Sequence, residues 1–370
     1  MTAAGGGARW EAGTISAEAA ARHGAGASGT IVRMLRTGMI GAFCGLFLAA
    51  FSAPGDPAEA AAGWLLVANK GNQTLGMIDP GLNRQIAEIP EGGITGHEVV
   101  ASPDGKTAYV PIYGNSGVGK PGTDGANLVM IDLAARKVTG SLAFGHGVRP
   151  HCAVIGPKDG LLYVTTELDK TVTVIDPATL RIVGTVPTGQ AESHMLAIAH
   201  DGKRGYTANV GPGTVSVLDL EKRRLVAVIP VAGATQRISI SADDRWVFTA
   251  DQTQPRLAAI STRSNRVEKW IPLPATGYGT AATPDGRWLI VAVPDARKAA
   301  IVDLGTMTVA HTIELPAAPQ EVLIRPDGRV AYVSCDASAK IAAIDVGQWK
   351  VEAMIDAGKS ADGLAWAAAR

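Results

Sequence analysis

The sequence predicts an all-β chain closed into a ring of seven four-stranded antiparallel units, and three observations carry that prediction. First, short alternating apolar and polar runs flank a hairpin signal at Asp104-Gly105, Asp159-Gly160, Asp201-Gly202, Asp285-Gly286 and Asp327-Gly328, with Asp243-Asp244 in the same slot. Alternation of period two marks a half-buried strand, and Asp-Gly suits a two-residue turn with positive φ. Second, an Asp or Ser closes a third run at Asp132, Asp176, Asp219, Ser261, Asp303 and Asp345, at spacings of 44, 43, 42, 42 and 42 residues. Four antiparallel strands in about 42 residues is the length of one propeller blade. Third, the count closes. Trp64 to Gly93 supplies three strands, and the missing first strand of that blade is Asp362-Gly363-Leu364-Ala365-Trp366 at the other end of the chain. Joining the termini in one blade leaves no open edge.

Taken in order, residues 1–33 are rich in Ala and Gly without periodicity and are expected to be disordered or to follow a misassigned start. Residues 34–60 read as a secretory signal. Arg33 and Arg36 flank Met34, Gly38 to Phe51 is an uncharged and mostly apolar run, and Ala58-Glu59-Ala60 supplies a small-residue cleavage site. The run is short for a membrane span. The propeller is expected over 61–370, periplasmic or secreted. Within it, Asp79 lies 53 residues before Asp132, so the second blade carries an insertion. That insertion contains Gly114-Asn115-Ser116-Gly117-Val118-Gly119-Lys120, which fits the opening of a phosphate loop. Pro121 stands where a nucleotide loop needs Ser or Thr, and Gly122 and Gly125 oppose the helix it also needs. No nucleotide is expected. The stretch reads instead as a loop between second and third strands, a lid carrying Lys120 and Asp124.

Composition narrows the partners. Lys+Arg and Asp+Glu both number 34, a balance that gives no electrostatic case for nucleic acid or an anionic membrane surface. After cleavage only Cys152 and Cys335 remain, too few for a disulfide framework. There is no Cys-x-x-Cys-His, which excludes a covalently attached haem, and no haem of any kind is expected.

The segments SPDGKTAYV, LYVTTELDKTVTVIDPATLRIVGTV and GYTANVGPGTVSVLDL resemble the YVTN-type repeats of seven-bladed propellers in exported bacterial proteins of the YncE-like or lactonase-like type. The resemblance covers 64–367 and is specific for fold rather than activity. It implies that the first strand of each blade lines a central channel. It also implies that the loops entering the first strands and leaving the second strands share one face.

Equivalent residues at the start of the first strands then form a ring: His97, His151, His194, Gln236, Tyr278, Gln320 and Asp362. Three histidines at one position in successive blades suit a divalent transition metal, and they suit general acid–base work near neutral pH. The expected polar neighbours are Glu98, His146, Arg149, Glu167, Glu192, Arg237, Asp251, Glu321 and Asp336. His97, His151, His194 and Glu98 are the candidate catalytic residues, the three histidines doubling as metal ligands. Arg149, Glu167, Glu192, Arg237, Tyr278, Glu321, Asp362 and Lys120 are the candidate substrate contacts, with Arg149 and Arg237 suited to clamp a carboxylate or phosphate. Nitrous oxide reductases use seven histidines at their copper centre, and this ring offers three. The expectation is a monomer with a His-rich small-ligand site, a metal-assisted hydrolase or lyase of lactone type. The alternative is a non-catalytic module binding a periplasmic partner protein.

Overall fold

A computed structural model describes residues 62–369; the expected leader segments lie outside the described residues. The described chain forms seven four-stranded antiparallel sheets. Blades 2 to 7 each use four consecutive strands, and blade 1 combines three N-terminal strands with the C-terminal strand Ala361–Ala368. That strand pairs with Gly63–Asn69, from Gly63 opposite Ala368 to Asn69 opposite Ala361. The closure read from the two ends of the sequence is therefore present.

The repeat markers have a mechanical role. The Asp ending each third strand accepts backbone N–H groups of the following turn, as Asp79 Oδ1 does from Gly81 and Leu82 at 2.8 and 3.1 Å. Ser261, the one non-Asp marker, does the same through its hydroxyl to Ser264 N at 3.4 Å. The Asp-Gly hairpins differ from the two-residue turn expected. Ser102 N bonds Thr107 O at 2.7 Å across a four-residue loop, and only Gly105 in it has a positive φ, +67°. The carboxylate of Asp104 takes over part of the turn, bonding Ser102 Oγ and Lys106 N, so its own backbone stays on the ordinary side.

The core lies between blades, where second and third strands are almost wholly buried; Val164, Val172, Val215, Val217 and Val247 are fully or almost fully enclosed. The outer fourth strands are mostly exposed or half-buried, with one buried residue near the end of each. Blade 2 departs from its siblings. Its second and third strands, Thr107–Gly114 and Asp124–Asp132, run on past the usual six residues into the loop 115–123.

Candidate functional site

The ring residues are aimed by backbone irregularity. Two positions before the ring residue, the chain takes a left-handed turn in five blades: Thr95, Arg149, Glu192, Ala318 and Ser360 have φ between +29° and +56°. Immediately afterwards the pairing slips, between Pro150 and Ala153, Ser193 and Met195, and Pro319 and Val322. His151, His194 and Gln320 sit inside these bulges. A bulge breaks strict two-fold alternation and re-aims a side chain. Asp362 sits in the corresponding slip of blade 1 and Glu321 in that of blade 7, whereas Glu98 and Arg237 precede the first paired residues of their strands.

On the side formed by blades 2 to 4 the three histidines do converge. The His151 and His194 ring centroids lie 3.5 Å apart at 31°, and His97 meets His151 edge-on at 5.4 Å. Tyr113 packs among them, 4.7 Å from His97 and 5.2 Å from His151. His194 Nδ1 bonds Glu167 Oε1, and Tyr113 Oη donates to Glu167 Oε2 at 2.9 Å. Gln236 Nε2 approaches His194 Nε2 at 3.5 Å, which fits Nδ1 as the protonated nitrogen donating to the carboxylate. Burial lowers His97 to about 3 and holds His151 well below the ordinary imidazole range, so both are uncharged at neutral pH. His151 is 1% exposed and its Nδ1 has no hydrogen-bond partner. Among the described residues no group of three or more His, Cys, Asp or Glu is arranged to hold a metal ion.

The opposite side is ionic. Arg237 of blade 5 crosses the channel to Glu98 of blade 2, to Glu321 of blade 7 at 2.6 Å and to Asp362 of blade 1 at 2.7 Å. Its guanidinium also faces the Tyr278 ring at 5.2 Å. Lys70 bonds Asp362 at 2.9 Å and Asp336 at 3.1 Å. Burial raises Glu98 to about 8 against the opposing pull of Arg237, and burial likewise raises Glu321. Burial pushes Asp362 upward too, but Arg237 and Lys70 outweigh it and hold its carboxyl below the ordinary range. Arg237 is thus already engaged by three internal carboxylates, which replaces the expected clamp on an external anion.

Arg149 is also committed inward. It bonds Asp124 Oδ1 at 2.5 Å, Lys120 O at 2.8 Å and Gly117 O at 3.4 Å, so it fastens the inserted loop over blade 3. Its guanidinium lies 6.0 Å from the Tyr113 ring. Lys120 contributes its carbonyl to that clasp. Glu192 accepts Gly211 N at 2.7 Å and stands beside Gly119 of the loop, where an added Cβ would lie 2.7 Å from its carboxylate. His146 pairs with Asp169 at 2.8 Å on the exposed rim. Asp251 does not join the face: it bonds Thr253 Oγ1 and Arg256 Nε within its own turn. Cys152 and Cys335 are free and buried, and burial raises the Cys152 thiol to about 12.

Tyr113 and Lys70 were outside the sequence expectation. Strand register supplies the signal. Leu66, Tyr109, Tyr163 and Tyr332 all stand opposite the residue two before the repeat marker. Four positions beyond each come Lys70, Tyr113, Glu167 and Asp336, a second ring at the ends of the second strands. Asp251 lies one residue short of that ring, which is why it turns away.

Comparison with solved structures finds the same fold at low identity. Hydrazine synthase of Kuenenia stuttgartiensis superposes with a TM-score of 0.61 and 17% identity, over 73% of this chain and 89% of that one. The dihydro-heme d1 dehydrogenase NirN, in complex with DHE, gives 0.59 and 15%, over 84% of this chain and 75% of that one. No curated protein matches the sequence. Residues 155–367 match the model of the cytochrome D1 heme domain. This overturns the expectation of no haem. A missing Cys-x-x-Cys-His speaks only to covalent attachment, whereas haem iron can be held through an axial side chain alone. With more than half of its length in that match, the chain belongs to the cytochrome D1 heme domain family.

Proposed function

We propose that this chain is an exported haem-binding propeller in which His151, on the histidine side of the channel mouth, would hold the haem iron. The YVTN-like repeat signatures and the leader at 34–60 support export, with the propeller over 61–370 as the working unit.

One observation carries the assignment: His151 Nδ1 is buried, belongs to an uncharged ring and has no partner. Buried polar atoms are nearly always satisfied, so such an orphan needs a reason. A neutral imidazole nitrogen is a haem ligand by chemistry. Family membership and the neighbour solved with DHE agree with this reading. When bound, the haem supplies one-electron iron chemistry.

The chain's own residues supply the rest. Glu167 engages Tyr113 Oη through Oε2 and His194 Nδ1 through Oε1, which fixes the orientation of the His194 ring. His194 in turn stacks on His151 and holds that ring's plane. Arg149 fastens the loop 115–123 above Tyr113, over a cluster in which Tyr113, His151, His194 and Glu167 are buried. His97 is the least buried of the three histidines and forms the solvent side of the cluster.

A second reading rests on Glu98. Burial keeps it protonated up to about pH 8, as a general acid for lactone opening requires. Retention of lactone hydrolysis by a Glu98→Gln variant would remove that reading.

For the haem reading, the purified chain is titrated with a ferric d1-type haem and the Soret band followed. The wild type forms a one-to-one complex. His151→Ala weakens it by at least about tenfold, the lower end of what losing even an outer-shell partner costs. Equal affinity and an unchanged spectrum in the variant would take His151 out of the role.

A further inference from the structure

The repeat provides its own control on the face opposite the histidines. There, the turn between first and second strands of one blade meets the turn between third and fourth strands of the next. Between blades 5 and 6 this makes a groove of about 360 Å³ lined by Trp246, Lys269 and Met307. Between blades 6 and 7 the same register gives a groove of about 690 Å³, where Trp288, His311 and Trp349 occupy the corresponding positions. Two changes, Lys to His and Met to Trp, convert a mixed groove into one walled by three aromatic rings. Trp288 and Trp349 meet edge to face at 5.3 Å, and His311 lies 6.2 Å from Trp349 at 26°.

Trp349 sits there at a cost. Its φ is +51°, in the left-handed region that bulky residues disfavour. Blade 5 places Asn265 at this turn and blade 6 Met307. The hairpin demands the conformation in every blade, but nothing in the hairpin demands a Trp.

The charges point to the ligand. The carboxylates in the lining are used by their own turns. Asp285 Oδ1 accepts Thr283 Oγ1 and Arg287 N, and Asp345 accepts both the backbone and the side-chain amide of Gln348. Arg287 lies over the Trp288 ring at 4.6 Å, and neither it nor Arg329 has a carboxylate partner within salt-bridge distance among the described residues. Two unpaired guanidiniums beside flat aromatic walls, in a volume within the range of small-molecule sites, form a consistent recognition set.

We propose that the groove between blades 6 and 7 is a second ligand site, for a small carboxylated ring compound. Its flat face lies on Trp349, Trp288 meets its edge, and its carboxylate lies on Arg287 and Arg329. An acidic sugar and an aromatic carboxylate share this chemistry.

The test is calorimetric titration of the full chain with a glucuronate disaccharide in one arm and indole-3-carboxylate in the other, each against its uncharged counterpart. At least one acid binds with a Kd below about 1 mM, a free energy near −4 kcal/mol, and the uncharged counterparts bind at least tenfold more weakly. Which arm responds identifies the source. Trp349→Met installs the residue blade 6 already tolerates at the same φ, so it keeps the fold, and it weakens binding at least tenfold. Arg329→Ala weakens it comparably and flattens its salt dependence. Absence of binding by either acid overturns the proposal, as does Trp349→Met binding as the wild type does. Haem titration of the same variants stays at wild-type affinity, so failure here is distinguishable from failure of the haem reading.

Discussion

The two sides of the channel mouth are built from the same strand positions and hold opposite kinds of chemistry. On blades 2 to 4 the ring position carries His97, His151 and His194, uncharged where burial sets the protonation and stacked around Tyr113. On blades 5, 7 and 1, Arg237, Glu321 and Asp362 form a closed ion cluster completed by Glu98 and Lys70. Apart from the insertion in blade 2 the fold repeats to within a residue or two, and the chemistry does not. A propeller fixes where seven side chains meet, and which side chains they are decides whether the meeting point is a donor pocket or a lock. On the ionic side the guanidinium Nη atoms of Arg237 are taken up by Glu98, Glu321 and Asp362, while its Nε is left without a partner. The histidine side has one orphaned nitrogen.

The sharpest break in the comparison is removal of the lock's centre. Arg237→Met leaves three buried carboxyl groups, of which Glu98 is the protonated one, around an uncharged side chain. Stability in a denaturant melt falls by about 3–5 kcal/mol, the usual cost of breaking a buried pair from one side. A loss under about 1 kcal/mol would mean that the cluster is dispensable.

Next comes the connection on the histidine side. Glu167→Gln removes the shared acceptor of Tyr113 and His194 while keeping its shape. Haem affinity drops by about 10–100-fold, as for other outer-shell partners of a ligating imidazole. The pH profile of binding shifts as well, which a merely structural change would not produce.

The two sides also predict opposite pH slopes. His97 has a folded pKa near 3, below the ordinary 6.5, so between those values the unfolded chain binds more protons. Stability therefore rises with pH across that window. Glu98 has a folded pKa near 8, above the ordinary 4.5, so its contribution is complete below 4.5 and lost as pH rises through 8. His97→Gln flattens the acid arm and Glu98→Gln the alkaline arm of a stability–pH curve. Variants that flatten the same arm would contradict the division.

The smallest effect separates backbone from side chain in the lid. Lys120→Ala changes stability by under about 0.5 kcal/mol, as for a surface residue that lends only its carbonyl. Arg149→Ala releases the loop, and limited proteolysis cuts within 115–123 faster than in the wild type.

The architecture was legible because each marker has a local physical job. The Asp of the third strand closes its turn, and the period of 42 residues follows from four strands and their loops. The histidine ring was legible because equivalent positions can be counted along one strand. Pairing across the ring was not. Glu98, Arg237, Glu321 and Asp362 come from four blades, and nothing in a repeat tells which of seven spokes reach over to one another. Arg237 therefore read as free to bind an anion. Tyr113 lies at the end of a second strand, outside the first-strand positions that define the histidine ring, and Asp251 stands one residue short of the second-strand ring. The haem expectation failed for a different reason: a missing Cys-x-x-Cys-His speaks only to covalent attachment, and the family match overturns it.

The central claim, that the unpartnered nitrogen of His151 is where haem iron binds, is tested most directly by chemical rescue. His151→Gly opens an imidazole-sized space at one ring position and leaves His194, Glu167 and Tyr113 in place. The account predicts that the variant binds a d1-type haem weakly with a shifted Soret band, and that added imidazole restores the wild-type spectrum and affinity. A variant that keeps the wild-type spectrum without imidazole would contradict it.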